Sequence, residues 1–199
     1  MTLRELMRHG THILKEAGIN TARLDAEILL SFCLHQPRGF LISNPQLLVS
    51  NHQLRVFFNL IKKRANYYPT AYLVGHKEFY DLDFLVTKDV LIPRPETELL
   101  VELGLQRVMD NSHKKLKAMT HDSQLMILDI GTGSGCIGLT LAKHLPEAKV
   151  ICADISPKAL NVARKNSHLI GINNVKFIIS DLLSHILNIC EKRTYSIYA

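Results

Sequence analysis

One run of residues in this chain combines types and spacing that could do chemistry: Asp129-Ile130-Gly131-Thr132-Gly133-Ser134-Gly135-Cys136-Ile137-Gly138. Glycines this dense let a backbone turn sharply and come close to a nucleotide-like ligand. Gly133 to Gly138 spell G-x-G-x-x-G, and Asp154 follows at the spacing of a ribose-binding carboxylate in dinucleotide folds. The glycines begin earlier, however, at Gly131 behind Asp129, which also gives D-x-G-x-G-x-G. A dinucleotide brings a pyrophosphate for a helix N-terminus to hold, whereas a sulfonium cofactor brings a positive charge. A carboxylate at Asp129 suits the cation and repels the diphosphate. Asp154 serves either ligand by accepting hydrogen bonds from ribose hydroxyls, and Asp181 could meet an adenine amino group. All three acids could instead be ordinary strand-end carboxylates capping helices. Their position at successive predicted strand ends matches the rule that ligands bind at the carboxyl edge of open parallel sheets.

The elements that must position this turn follow from periodicity. The apolar run from Leu125 to Ile130 reads as a buried strand, Cys136 to His144 as a helix, and Lys149 to Ala153 as a second strand. Ser156-Pro157 is a cap followed by a first-turn proline, opening a helix that Gly171 ends. Val175 to Ile179 is a third strand, running into Ser180-Asp181. This β-α-β-α-β order predicts an α/β fold with a parallel, right-handed, three-layer arrangement. Upstream, residues 1–70 read as a helical bundle: one helix from Leu3 to Ala17 closed by Gly18, a second from Thr21 to Leu34, a third from Asn51 to Ala65. Pro69 ends that pattern. Residues 71–98 read as a linker, strand-like from Ala71 to Ile92 with Leu82, Phe84 and Val86 alternating in a hairpin. It closes on Ile92-Pro93-Arg94-Pro95-Glu96-Thr97-Glu98, a stiff elbow that presents Arg94, Glu96 and Glu98 at the start of a helix through Leu103 and Val108. Residues 99–199 then form the ligand-binding part, with Met109 to Gln124 as a polar surface loop.

Composition bounds the rest. The 199 residues, 47% hydrophobic, suffice for a small domain and part of another. No stretch is long and apolar enough to span a bilayer, and Met1-Thr-Leu-Arg-Glu lacks the layout of a signal peptide, so a cytoplasmic protein with no membrane partner is expected. Cys33, Cys136, Cys152 and Cys190 form no C-x-x-C pair, which argues for reduced, mostly buried thiols. His9 and His12 lack nearby ligands to complete a metal site, so none is assigned. The formal charge is +6, with the cations dispersed rather than striped along one face; they read as a solvated surface, and no direct nucleic-acid binding is expected.

Four segments together resemble the HemK/PrmC family of protein-(glutamine-N5) methyltransferases: Arg23-Leu-Asp-Ala-Glu-Ile-Leu-Leu30, Ala71-Tyr-Leu-Val-Gly75 with Glu78-Phe-Tyr80, Leu91-Ile-Pro-Arg-Pro-Glu-Thr-Glu98, and Ile127 to Gly138. The proline elbow is the most specific of them, and D-x-G-x-G-x-G resembles the first motif of class I S-adenosylmethionine-dependent methyltransferases. The resemblance implies a Rossmann-like domain behind a helical domain that helps grip a peptide chain release factor. The modified atom would be the side-chain nitrogen of the glutamine in that factor's GGQ motif. It further implies that Asp129, Gly131, Thr132, Gly133, Ser134, Gly135, Asp154, Asp181 and Leu182 bind S-adenosylmethionine, and that Arg94, Glu96 and Thr97 lie near the active pocket.

The family's Asn-Pro-Pro-Tyr motif, which orients the amide, has no counterpart here, so no catalytic residue is assigned. The expectation is an incomplete sheet of three strands whose first strand is left with an unpaired edge, in a shortened chain that transfers no methyl group alone. Three other readings stay in view: a non-catalytic module binding release factor or ribosome, a nicotinamide-dependent oxidoreductase using Gly133 to Gly138, and a methyltransferase acting on an adenine amino group. Oligomeric state is left open.

Overall fold

A computed structural model of the chain describes residues 1–115, 125–181 and 196–198, with side chains over 1–109 and 125–181. It divides into two compact units, Met1–Gly75 and His76–Ala199.

The first unit is helical: α1 (Leu3–Glu16), α2 (Ala22–Leu34), α3 (Arg38–Ser43), α4 (Asn51–Ala65) and α5 (Thr70–Val74). Thr2 and Ser50 start α1 and α4 with reciprocal capping boxes, using Glu5 and Gln53 three residues on. The apolar stripes of α1, α2 and α4 meet in a core of Leu3, Leu6, Leu14, Leu29, Leu30, Phe57 and Ile61. Gly10 sits in mid-helix because a Cβ there would stand 2.7 Å from the Phe57 ring. Two helices lie outside the sequence expectation. Pro69, expected to hand over to strand, is the extended cap of α5, a single turn ended by Gly75 at φ +80°. Its Leu73 and Val74 pack on the helical core, so the extended segment begins only at His76. Five residues are too few for a helical period to register in sequence.

The second unit opens with a hairpin of β1 (His76–Phe79) and β2 (Leu82–Leu85). Tyr80 and Asp81 take φ of 49° and 58°, the double left-handed conformation of a tight hairpin turn. The elbow is a short 3₁₀ turn, Pro95–Thr97, leading into α6 (Glu98–Lys115). The expected polar loop from Met109 is therefore helical as far as Lys115. A polar stretch that continues a helix already nucleated upstream costs little to propagate.

Then follow β3 (Met126–Ile130), α7 (Cys136–His144), β4 (Lys149–Asp154), α8 (Pro157–Ile170) and β5 (Val175–Ile179), at the places the periodicity predicts. A further strand, β6 (Ser196–Tyr198), pairs with β3. The sheet is parallel throughout, in the order β5-β4-β3-β6, so the expected unpaired edge on the first strand is not found. Leu128 stands opposite Ile197 and Asp129 opposite Tyr198. Three residues show too little alternation to be read as a strand; the backbone groups of the buried β3 supply the template. Ile127, Val150 and Cys152 on one face of the sheet join Leu139 and Leu141 of α7 and Val101 of α6 in the larger core. Met126, Leu128, Ile151 and Ala153 form a smaller cluster.

Candidate functional site

The glycine turn joins β3 to α7 at the carboxyl edge of the sheet, and most of its backbone N–H groups have partners. Gly131 and Thr132 donate to the Ala153 carbonyl at 2.8 and 3.0 Å, and Gly135 donates to the Thr132 carbonyl at 2.7 Å. Gly131, Gly133 and Gly135 hold φ of +72°, +54° and +83°, a region that side chains disfavour. A Cβ at Gly131 would meet nothing within 4 Å and one at Gly133 only a carbonyl oxygen at 3.9 Å, so these two face open space. Gly135 and Gly138 face inward. A Cβ at Gly138 would stand 2.5 Å from Cys152 Sγ and 2.8 Å from Asp129 Oδ2.

Two carboxylates pin this turn. Asp129, only 5% exposed, accepts at Oδ2 from the Thr132 hydroxyl at 2.6 Å and from the Gly138 N–H at 2.9 Å, bridging the two ends of the turn from beneath. Burial pushes its carboxyl above the usual range; the bonds from Thr132 and Gly138 act in the opposite sense, and the negative charge of Asp154 adds to the rise. Asp154 accepts at Oδ2 from Gly133 N–H and at Oδ1 from Ser156 N–H, both at 2.9 Å. Each of its oxygens keeps lone-pair capacity for a further donor. Ser180 N–H donates to the Asp154 carbonyl at 3.1 Å, which sets the exposed Asp181 one residue beyond the same edge.

The structure thus brings Asp129, Gly131 to Gly135 and Asp154 into one network, with Asp181 beside it. Leu182 lies outside the described residues. Arg94 and Glu96 are exposed and Thr97 is half-buried in the separate 3₁₀ turn, where Thr97 N–H donates to the Arg94 carbonyl at 3.0 Å. Glu98, expected to complement the helix start, also accepts from Tyr80 N–H at 3.0 Å and so ties the hairpin turn to α6. Among the described residues no cluster of His, Cys, Asp or Glu could hold a metal ion. Burial pushes the Cys33 and Cys136 thiols up to about 11, and that of Cys152 up as well, so these three stay protonated; Cys190 lies outside the described residues.

Sequence comparison agrees with this geometry on two separate stretches. Residues 5–75 match the PrmC N-terminal domain and residues 121–195 a methyltransferase domain. Over these two stretches the chain is similar to the PrmC family. It is 39% identical over 186 residues to a release factor glutamine methyltransferase of Koribacter versatilis, covering 94% of this chain and 62% of that protein. To the protein of the same description from Clostridium acetobutylicum it is 36% identical, covering 96% of this chain and 64% of the relative. The chain therefore spans under two thirds of the length of these relatives.

Two features of this chain escaped the sequence. Cations that are scattered along the first unit, Arg4, Arg8 and Lys15 of α1 and Arg23 of α2, line one groove with Met7, Leu41 and Glu27, whose carboxylate pairs with Arg23. The spacing of Arg4, Arg8 and Lys15 on a helix was the available signal. The other is Asn166 of α8, fully buried and bonded to the glycine turn. A polar residue on the stripe of Ala159, Val162 and Ala163 could have flagged it.

Proposed function

We propose that this chain supplies the donor-binding and partner-binding parts of a methyltransferase. Its substrate would be the side-chain nitrogen of the GGQ glutamine in a peptide chain release factor, and its methyl donor S-adenosylmethionine. The observation that carries the reading is the glycine turn, open to solvent at Gly131 and Gly133 and underpinned by Asp129 and Asp154. The donor set fits a cationic ligand. Asp129 accepts from the Gly138 N–H, so an acid lies beneath the start of α7, where a dinucleotide fold would place its pyrophosphate. This weighs against a nicotinamide cofactor.

When bound, S-adenosylmethionine supplies an electrophilic methyl group on a positively charged sulfur. Gly131 to Gly135 let the backbone approach it, Asp154 accepts from its ribose hydroxyls, and Asp181 with Leu182 takes the adenine end. Asp129 acts from beneath, by holding the turn and by its charge. An amide nitrogen is a weak nucleophile because its lone pair is delocalised, so the catalytic gain is mainly positional. Arg94, Glu96 and Thr97 on the stiff elbow line the side from which the glutamine enters. The first unit, residues 1–70 in the sequence reading, offers the release factor its basic groove, and the work is done in the cytoplasm. Among the described residues no helix is long and apolar enough to cross a membrane.

The test joins this chain to the remaining residues of a full-length relative and follows label from S-adenosylmethionine. Label should reach the release factor and be absent from a factor whose GGQ glutamine is alanine. Label on both factors, or on neither, would overturn the reading.

A further inference from the structure

Asn166 is the one fully buried side-chain amide among the described residues, and all of its hydrogen-bonding groups are engaged. Its Oδ1 accepts from Leu85 N–H at 2.7 Å, and its Nδ2 donates to the Leu85 carbonyl at 3.0 Å and to the Ser134 carbonyl at 2.8 Å. Leu85 ends β2, opposite His76 of β1, and both its backbone groups turn to the amide as they would to a third strand. Ser134 precedes Gly135, the cap of α7, so its carbonyl has no partner within that helix. One side chain on α8 thus satisfies the edge of the hairpin and the tip of the glycine turn together. Downstream of Leu85 the chain stays anchored through Val86 and Val90, 1% and 5% exposed, up to the elbow.

We propose that Asn166 is a positioning residue of the methyl-transfer site, holding the hairpin and the elbow behind it in register with the glycine turn. Ligand binding at the turn is then felt at Leu85. The proposal rests on the reading of the turn as the S-adenosylmethionine site.

A purely apolar residue could fill this space but could not serve three backbone groups at once. Asn166→Ala leaves the Leu85 and Ser134 groups unpaired, and Asn166→Ser keeps a hydroxyl for one of them and guards against loss of folding. Hydrogen exchange on the full chain tests the proposal, with S-adenosylhomocysteine as probe. Without ligand, each variant should speed exchange about tenfold at Leu85 and at Gly133 to Gly135, and leave Leu29, Leu30 and Val150 unchanged. With ligand, the unaltered chain should slow at both the turn and Leu85, and the Asn166→Ala chain at the turn alone. A variant whose Leu85 still slows with ligand, or whose turn exchanges as before without it, would overturn the proposal. Failure of the donor reading would look different: no slowing at the turn of the unaltered chain, with the ligand-free comparison still deciding whether Asn166 ties the two segments.

Discussion

Asp25 in the helical unit and Asp129 in the sheet unit are the buried acids among the described residues, and they are held in opposite ways. Asp25 has a cation: Arg64 Nε lies 2.8 Å from its Oδ2, and the Thr21 and Thr70 hydroxyls complete its shell at 2.7 and 3.0 Å. These bonds tie α2 to α4 and α5 and finish there. Asp129 has no such cation among the described residues and leans on a hydroxyl and a backbone N–H, under a turn that faces solvent. A buried carboxylate paired with a cation locks helices to one another, whereas one held by a hydroxyl and a backbone N–H under an open turn is a perturbed acid of the kind that clusters at functional sites.

The largest expected effect breaks the neutralised side. Arg64→Met strands the buried Asp25 carboxylate and should cost about 3–5 kcal/mol in chemical denaturation; a loss below about 1 kcal/mol would make the pair incidental. Next is Gly138→Ala, whose methyl would press on Cys152 and Asp129 and should cost about 1–3 kcal/mol by the same measurement. The third sharpens the difference through pH. Between the ordinary Asp value of 3.8 and the raised value of folded Asp129, the folded chain binds more protons than the unfolded one. Stability from this group is therefore complete below that window, falls as pH rises through it, and stays lowered above. Asp129→Asn should flatten that part of a melting-temperature profile, and an unchanged slope would count against a strained carboxylate. Smallest is Arg23→Ala, which removes a mostly exposed partner of Glu27 and should shift stability by less than about 0.5 kcal/mol.

How far the sequence could be read follows the same divide between local and long-range causes. Helices α1, α2 and α4 and strands β3 to β5 carry complete periods, and the α8 boundaries carry Ser156-Pro157 and Gly171, so they were legible residue by residue. Single-turn α5 and three-residue β6 are too short to carry a period and owe their form to neighbours far along the chain. In the site, the acids and glycines were legible by type. Their division of labour was not, because it depends on depth: Asp129 was expected to face a ligand and instead lies buried, bonded to Thr132 and Gly138. Asn166 bonds to Leu85 across 81 positions, a distance no local pattern records.

The central claim is that this turn takes a sulfonium donor in preference to a diphosphate. Calorimetric titration of the full chain with S-adenosylmethionine, and separately with NADH, tests it most directly, using Gly133→Val as the control that fills the open face of the turn. Saturable heat with S-adenosylmethionine that disappears in the control, and none with NADH, is the expected result. Saturable NADH binding that the Gly133→Val change abolishes, with no heat from S-adenosylmethionine, would contradict it.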